Sequence, residues 1–238
     1  MFRSSLTGAL AIVSLSAHLQ AATMLVDFGR TDNQTSGNWN NVHGPSGTTT
    51  LTTPSVDLID DQGNATDYTL VTNFDDGGSW AASGADYSTG TKPAPFAGAP
   101  TTATGDSLFV RTPADTTITL TGLSASETYD LVFYGARGNN GGASTFVVTD
   151  NSGAKPLQSF DVFENDSAVA SFTGLVPDGS GEITIVFQGV FSSTGTGINT
   201  NQQSSGAFNA LQITSNIPEP STVMLAALAC TTLLRRRR

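Results

Sequence analysis

Between residues 23 and 216 the apolar positions recur in short bursts with a period of two. In Thr117–Thr121, Ile118 and Leu120 share one face, and in Glu182–Phe187, Ile183, Ile185 and Phe187 share another, which is the alternation of a half-buried strand. The same pattern predicts strands at Met24–Phe28, Val56–Ile59, Tyr68–Val71, Ser107–Arg111, Thr117–Thr121, Tyr129–Gly135, Ser144–Thr149, Leu157–Phe163, Ala168–Phe172, Glu182–Val190 and Ala207–Thr214. Gly, Asn, Asp, Ser and Pro punctuate the chain every ten or so residues, and no ten-residue stretch of this region keeps a helical apolar period free of Gly and Pro. Ten or eleven short strands cannot all bury a face in one open sheet, so the expectation is all-β, a two-sheet antiparallel β-sandwich. Two segments, Gly29–Pro54 and Asn73–Thr104, hold too few apolar residues for strands and are expected as extended loops.

The two ends follow another pattern. Met1-Phe2-Arg3 precedes an apolar segment, Leu6–Leu15, and a small-residue boundary at Leu19-Gln20-Ala21-Ala22, as in a secretory signal peptide cleaved after Ala21 or Ala22. At the other end an apolar run of twelve residues, Val223–Leu234, is followed by Arg235, Arg236, Arg237 and Arg238. Twelve residues fall short of the roughly twenty that span a hydrocarbon core, and the arginines favour the cytoplasmic side as a stop-transfer cluster. With Pro218, Glu219 and Pro220 ahead of it, this tail resembles the PEP-CTERM sorting signal of Gram-negative bacteria. That resemblance implies export, transient anchoring in the inner membrane by the C-terminal hydrophobic helix, processing at Pro218–Pro220 by an exosortase-type enzyme, and delivery to the cell surface or exopolysaccharide matrix. The expected organisation is a signal helix at 1–22, a single β-sandwich domain at 23–216 and a sorting and membrane segment at 217–238.

Composition sharpens the picture of the middle region. Without Arg3, Glu219 and Arg235–Arg238, nineteen acidic side chains face five basic ones, a net charge near −14. Such a domain repels nucleic-acid phosphates and anionic membrane surfaces, so membrane contact is expected only through the C-terminal segment. The single cysteine, Cys230, lies in the tail, so the body holds itself together without a disulfide.

The first strand, LVDFG, the last, AFNALQIT, and Thr119–Arg137 (TLTGLSASETYDLVFYGAR) together resemble the galactose-binding-like jelly-roll modules of bacterial surface proteins and carbohydrate-active enzymes. The resemblance implies two structural roles: Leu123 plugging a connection and Tyr129 opening the next strand as a core aromatic.

Candidate chemistry lies in the polar segments. Trp39, beside Asn40, and Trp80 are the two tryptophans; each can stack on the apolar face of a sugar or fold back as the hydrophobic plug of its loop. Arg137 and Asn139, in the Gly-rich stretch after a strand, add a cation and an amide to this possible glycan-binding set. Asp60, Asp61, Asp75 and Asp76 offer the hard oxygen ligands calcium accepts, without the spacing of a known calcium loop; no cofactor is otherwise expected.

The string Gly105-Asp106-Ser107-Leu108 matches the opening motif of the GDSL esterases. A serine hydrolase needs a base, and the one histidine between residues 23 and 216, His43, lies upstream, where that family places its own near the C-terminus. The sequence therefore predicts no catalytic residues. It predicts an exported surface or matrix component, with a specific carbohydrate-binding module as the alternative and exopolysaccharide as the candidate partner.

Overall fold

The computed structural model describes residues 21–45, 55–74, 78–80, 91–111, 115–138, 142–191 and 205–217, with 74, 78–80 and 111 described by their backbone. Their strands are β1 (Thr23–Arg30), β2 (Trp39–Gly44), β3 (Ser55–Ile59), β4 (Ala65–Phe74), β5 (Gly78–Trp80), β6 (Leu108–Arg111), β7 (Asp115–Thr121), β8 (Thr128–Tyr134), β9 (Ala143–Asp150), β10 (Gly153–Ala154), β11 (Gln158–Asp161), β12 (Ala170–Leu175), β13 (Ile183–Val190), β14 (Ser205–Phe208) and β15 (Ala210–Asn216). Two 3₁₀ turns, Phe96–Gly98 and Thr101–Ala103, precede β6.

The strands build the expected sandwich. One sheet has the order β12-β8-β15-β1-β2, the other β10-β9-β13-β7-β4-β3 with β11 also on β9, and a small third sheet runs β14-β6-β5. At the centre of the second sheet β13 pairs with both β7 and β9, setting Ile185 opposite Ile118 and Val148, and Phe187 opposite Phe146. The inward faces meet in one core: Met24, Val26, Phe28, Leu131, Phe133, Leu211 and Ile213 from the first sheet lie against Ile118, Leu120, Phe146, Val148, Ile183, Ile185 and Phe187. Its middle is a run of rings, with centroids 4.4 Å apart for Phe133–Phe146, 5.1 Å for Phe146–Phe187 and 4.2 Å for Phe28–Phe208. Burying such side chains is worth about 1.5–3 kcal/mol each, which is how a chain without a disulfide in this region holds its shape.

Leu123 and Tyr129 take the roles expected of them. Leu123 is buried in the core, and fully buried Tyr129 turns its hydroxyl back to accept from the Ser124 amide (2.9 Å), closing the β7–β8 connection.

Two loop expectations and one strand boundary fail, and one strand departs from the antiparallel pattern. Gly29–Pro54 is not all loop, because β2 lies within it; Asn73–Thr104 likewise contains β5 and the two 3₁₀ turns. The pattern of β2 escapes an apolar count because one of its inward positions is Asn40, which substitutes hydrogen bonds for hydrophobic contact. Its Nδ2 donates to the carbonyls of Leu25 (3.0 Å) and Ile59 (2.9 Å), and its Oδ1 accepts from the Ile59 amide (2.8 Å). Finally, β2 runs parallel to β1, in an otherwise antiparallel sheet.

The expected strand Ala207–Thr214 is divided at Asn209, where the chain crosses from the small sheet to the large one. Asn209 pins the crossing: its Oδ1 accepts from the Ala136 amide (2.8 Å), and its Nδ2 donates to the carbonyls of Thr104 (3.1 Å) and Asp106 (2.5 Å). Gly135 lets the backbones touch there, since a Cβ at that position would sit 2.0 Å from the Ala207 oxygen. Residues 1–20, where a signal peptide is expected, and the segment from Pro218 to Arg238, with both expected terminal helices, lie outside the described residues.

Candidate functional site

The outward face of the five-stranded sheet carries one row of registered side chains. Trp39 lies beside Leu25, Leu25 beside Gln212, Gln212 beside Val132, and Val132 beside Ser171, so one position from each of β2, β1, β15, β8 and β12 falls in line. Ser171 is exposed and the other four are half-buried. At about 4.8 Å per strand spacing the row is ~19 Å long. Trp39 stands at one end, its indole packed against a small second cluster of Phe96, Tyr134, Ala136 and Ala210. Phe96 reaches this face from the first 3₁₀ turn and stacks on Tyr134 with centroids 5.6 Å apart. The row itself carries no charged side chain.

The next row, Asn41, Asp27, Ala210 and Tyr134, is roofed by residues 31–35 and 101–106. Asp27 is 1% exposed; its Oδ2 accepts from the Thr35 amide (3.1 Å), while its Oδ1 has no hydrogen-bond partner among the described residues. The roof is held down by hydrogen bonds from Thr35 N to Asn41 Oδ1 (2.8 Å) and from Thr35 Oγ1 to Thr102 Oγ1 (2.8 Å). Asp106, 5% exposed, accepts from the Arg30 amide (2.5 Å) and sits directly over Gly29, where a Cβ would meet its Oδ1 at 2.6 Å. Burial first, and the nearby Asp106 charge second, push the Asp27 carboxyl up to about 8. The carboxyl is therefore protonated at neutral pH, which removes a like-charge clash that a buried site would otherwise hold.

A cleft of about 490 Å³ opens at the end of the sandwich where β1 begins and β15 ends. Ala21, Ala22, Ser215 and Ile217 form one wall, and Asp60, Asp61, Asp67, Tyr68 and Glu127 the others. Among the described residues no Lys, Arg or His lines it. Glu127 Oε2 accepts from the hydroxyls of Tyr68 (2.8 Å) and Tyr129 (3.1 Å), and the two rings meet edge to face at 5.7 Å. Burial raises the Tyr68 phenol above its ordinary value, so both hydroxyls remain donors to the carboxylate.

The residues singled out from the sequence do not converge. Trp39 is on the sheet face; Asn40, its neighbour in sequence, points to the opposite side and its hydrogen bonds are committed to β1 and β3. Trp80 lies on β5, in register with Leu108 of the small sheet. The Arg137 guanidinium sits 4.4 Å over the Phe109 ring, and its backbone bridges to Phe163. Asn139, Asp75 and Asp76 lie outside the described residues. Asp60 accepts from the amides of Gln62 (3.0 Å) and Asn64 (2.7 Å) and from Asn64 Nδ2 (2.9 Å); these bonds, the Asn64 side chain foremost, hold its carboxyl below the usual range. Asp61 accepts at its backbone oxygen from Asn38 Nδ2 (2.9 Å). Among the described residues no three His, Cys, Asp or Glu side chains are grouped to hold a metal ion. Ser107, of the esterase-like string, is buried.

Sequence reasoning missed Asp27, Asp106, Tyr68, Glu127 and Ser215. For Asp27 a signal existed: in LVDFG it is the one acid among apolar residues, on the opposite face from Val26 and Phe28. For the cleft none existed, since Tyr68 and Ser215 are far apart in sequence.

No protein-family model matches the chain. No curated protein matches it either. Among solved structures it is similar to TmCBM61 in complex with β-1,4-galactotriose, at 11% identity and a TM-score of 0.28 over 62% of this chain and 84% of that one. It is also similar to the family 32 CBM from C. perfringens NanJ in complex with galactose, at 14% identity and a TM-score of 0.32 over 61% and 93%. A third is the exo-β-1,3-galactanase from Phanerochaete chrysosporium with galactose, at 20% identity and a TM-score of 0.28 over 67% of this chain and 32% of that one. Likeness at this level places no ligand on the present chain.

Proposed function

We propose that the protein is an exported, non-catalytic surface module that binds a neutral glycan chain across the outward face of its five-stranded sheet. The observation that carries this reading is the half-buried indole of Trp39 at the head of an uncharged row crossing all five strands. An indole face stacks on the apolar side of a pyranose, and the Gln212 amide and Ser171 hydroxyl supply donors and acceptors for ring hydroxyls. The polymer is neutral because the domain's net charge near −14 repels uronate or sulfate chains over several ångströms. Export and attachment at the surface rest on the leader and on the Pro218-Glu219-Pro220 tail, which names an exosortase-type enzyme as processing partner.

The second reading is a matrix component with no specific ligand, and it has an observation of its own. Trp39 packs against Phe96 and Tyr134, so part of its ring serves as a plug. A glycan panel separates the two. Neutral polysaccharides should bind the purified protein saturably and anionic ones should not, and Trp39→Ala should abolish that binding at a small loss of melting temperature. A Trp39→Ala protein that melts far lower while every glycan fails to bind the parent supports the matrix reading instead.

A further inference from the structure

We infer that removal of the leader after Ala21 makes the acidic cleft the seat of the chain's own new amino terminus. The inference rests on the reading of residues 1–21 as a cleaved secretory signal, and adds to it a destination for the charge that cleavage creates.

Residue 22 is fixed from two sides. Its amide donates to Ser215 Oγ (3.0 Å), and its carbonyl accepts from the Ser215 amide (2.9 Å), where Ser215 is 1% exposed. One residue on, the Thr23 carbonyl accepts from the Asp61 amide (2.7 Å), tying the start of β1 to the β3–β4 turn. Ala21 and Ala22 are themselves wall residues of the cleft, together with Asp60, Asp61, Asp67 and Glu127.

In the uncleaved chain the nitrogen of Ala22 is an amide whose single proton is spent on Ser215 Oγ. Hydrolysis of the Ala21–Ala22 bond by water leaves a carboxylate on the departing leader and an amine on Ala22, which takes up a proton. The resulting ammonium has three donors: one keeps the Ser215 contact and two become available to the cleft. An α-amino group ordinarily titrates at about 7.7–8.0, and opposite charges within a few ångströms raise that value. Among the described residues four carboxylates line the same cleft and no cation there competes for them. Of the aromatic groups, Tyr68 and Tyr129 remain neutral donors to Glu127 and so do not offset the carboxylates' pull. Because the cleft is open to solvent, the attraction weakens with salt. Processing thus adds a charge contact with the cleft to the hydrogen bonds that already hold Ala22 and Thr23, and a chain retaining Ala21 lacks that contact.

Competitive acetylation across a pH series, followed by mass spectrometry of the N-terminal peptide, reads both parts in one experiment on the protein recovered after export. The expected result is a chain beginning at Ala22 whose α-amino group titrates about one unit above the ordinary value, hence about fivefold less reactive at pH 8 and about tenfold less reactive at pH 6.5. Added salt at 1 M should bring it back toward the ordinary range, as should Glu127→Gln or Asp67→Asn. An ordinary, salt-independent value on a chain that does begin at Ala22 overturns the capture while leaving the leader reading intact. An exported chain beginning at Thr23 overturns the capture alone, and one beginning elsewhere overturns both.

Discussion

The buried acid on the first strand makes the sharpest demand on the fold. Asp27 ordinarily titrates near 3.8 and in the folded protein near 8, a difference of about four pH units. Each unit corresponds to about 1.4 kcal/mol, so folding with an ionised Asp27 costs roughly 6 kcal/mol more than folding with a protonated one. A folded-state value above the unfolded one means that the native protein holds the extra proton between pH 4 and pH 8. This contribution is fully present below pH 4 and is lost as pH rises to 8. Asp27→Asn keeps the shape, removes the charge that confronts Asp106, and keeps a polar group in place, so it should erase the slope. Urea titrations of parent and variant at pH 5 and pH 8.5, in chelating buffer so that no divalent cation neutralises the pair in place of the proton, measure it directly. The variant should gain several kcal/mol relative to the parent between the two pH values, against a total margin of about 5–15 kcal/mol typical of such domains. Parallel pH profiles for the two proteins would refute the argument.

Other perturbations test the frame and the tail. Phe146→Ala removes a fully buried ring stacked between Phe133 and Phe187 and should lower stability by about 3–5 kcal/mol, read as a lower urea midpoint. Asn40→Ala leaves the Ile59 amide and two carbonyls without their side-chain partner and should cost about 1–3 kcal/mol in the same assay, with glycan binding of the surviving folded protein retained. In a host with the sorting machinery, mass spectrometry should find the mature chain ending near Pro220; an intact Arg238 at the surface would contradict the sorting reading.

How much of this was legible before the structure varies by element for physical reasons. The strands that read clearly, such as β7 and β13, alternate because one face packs on the core and the other meets water or a neighbouring strand. The edge strand β2 was hidden because Asn40 and Gly44 occupy inward positions where an apolar residue would have marked them. Trp39 was singled out as a loop residue; its place at the end of a five-strand row depends on pairing register, which joins residues 25, 39, 132, 171 and 212 and leaves no local trace. The cleft has the same origin, since the first and last strands must pair before Ala22 and Ser215 can meet.

The sheet-face account turns on one indole, and the chain has only two. In a Trp80→Phe variant all indole emission comes from Trp39, so a neutral oligosaccharide titrated against it reports on that ring alone. The account predicts a saturable change in intensity and wavelength whose midpoint equals the dissociation constant from calorimetry on the same protein. Calorimetric binding with unchanged Trp39 emission would place the glycan elsewhere and contradict it.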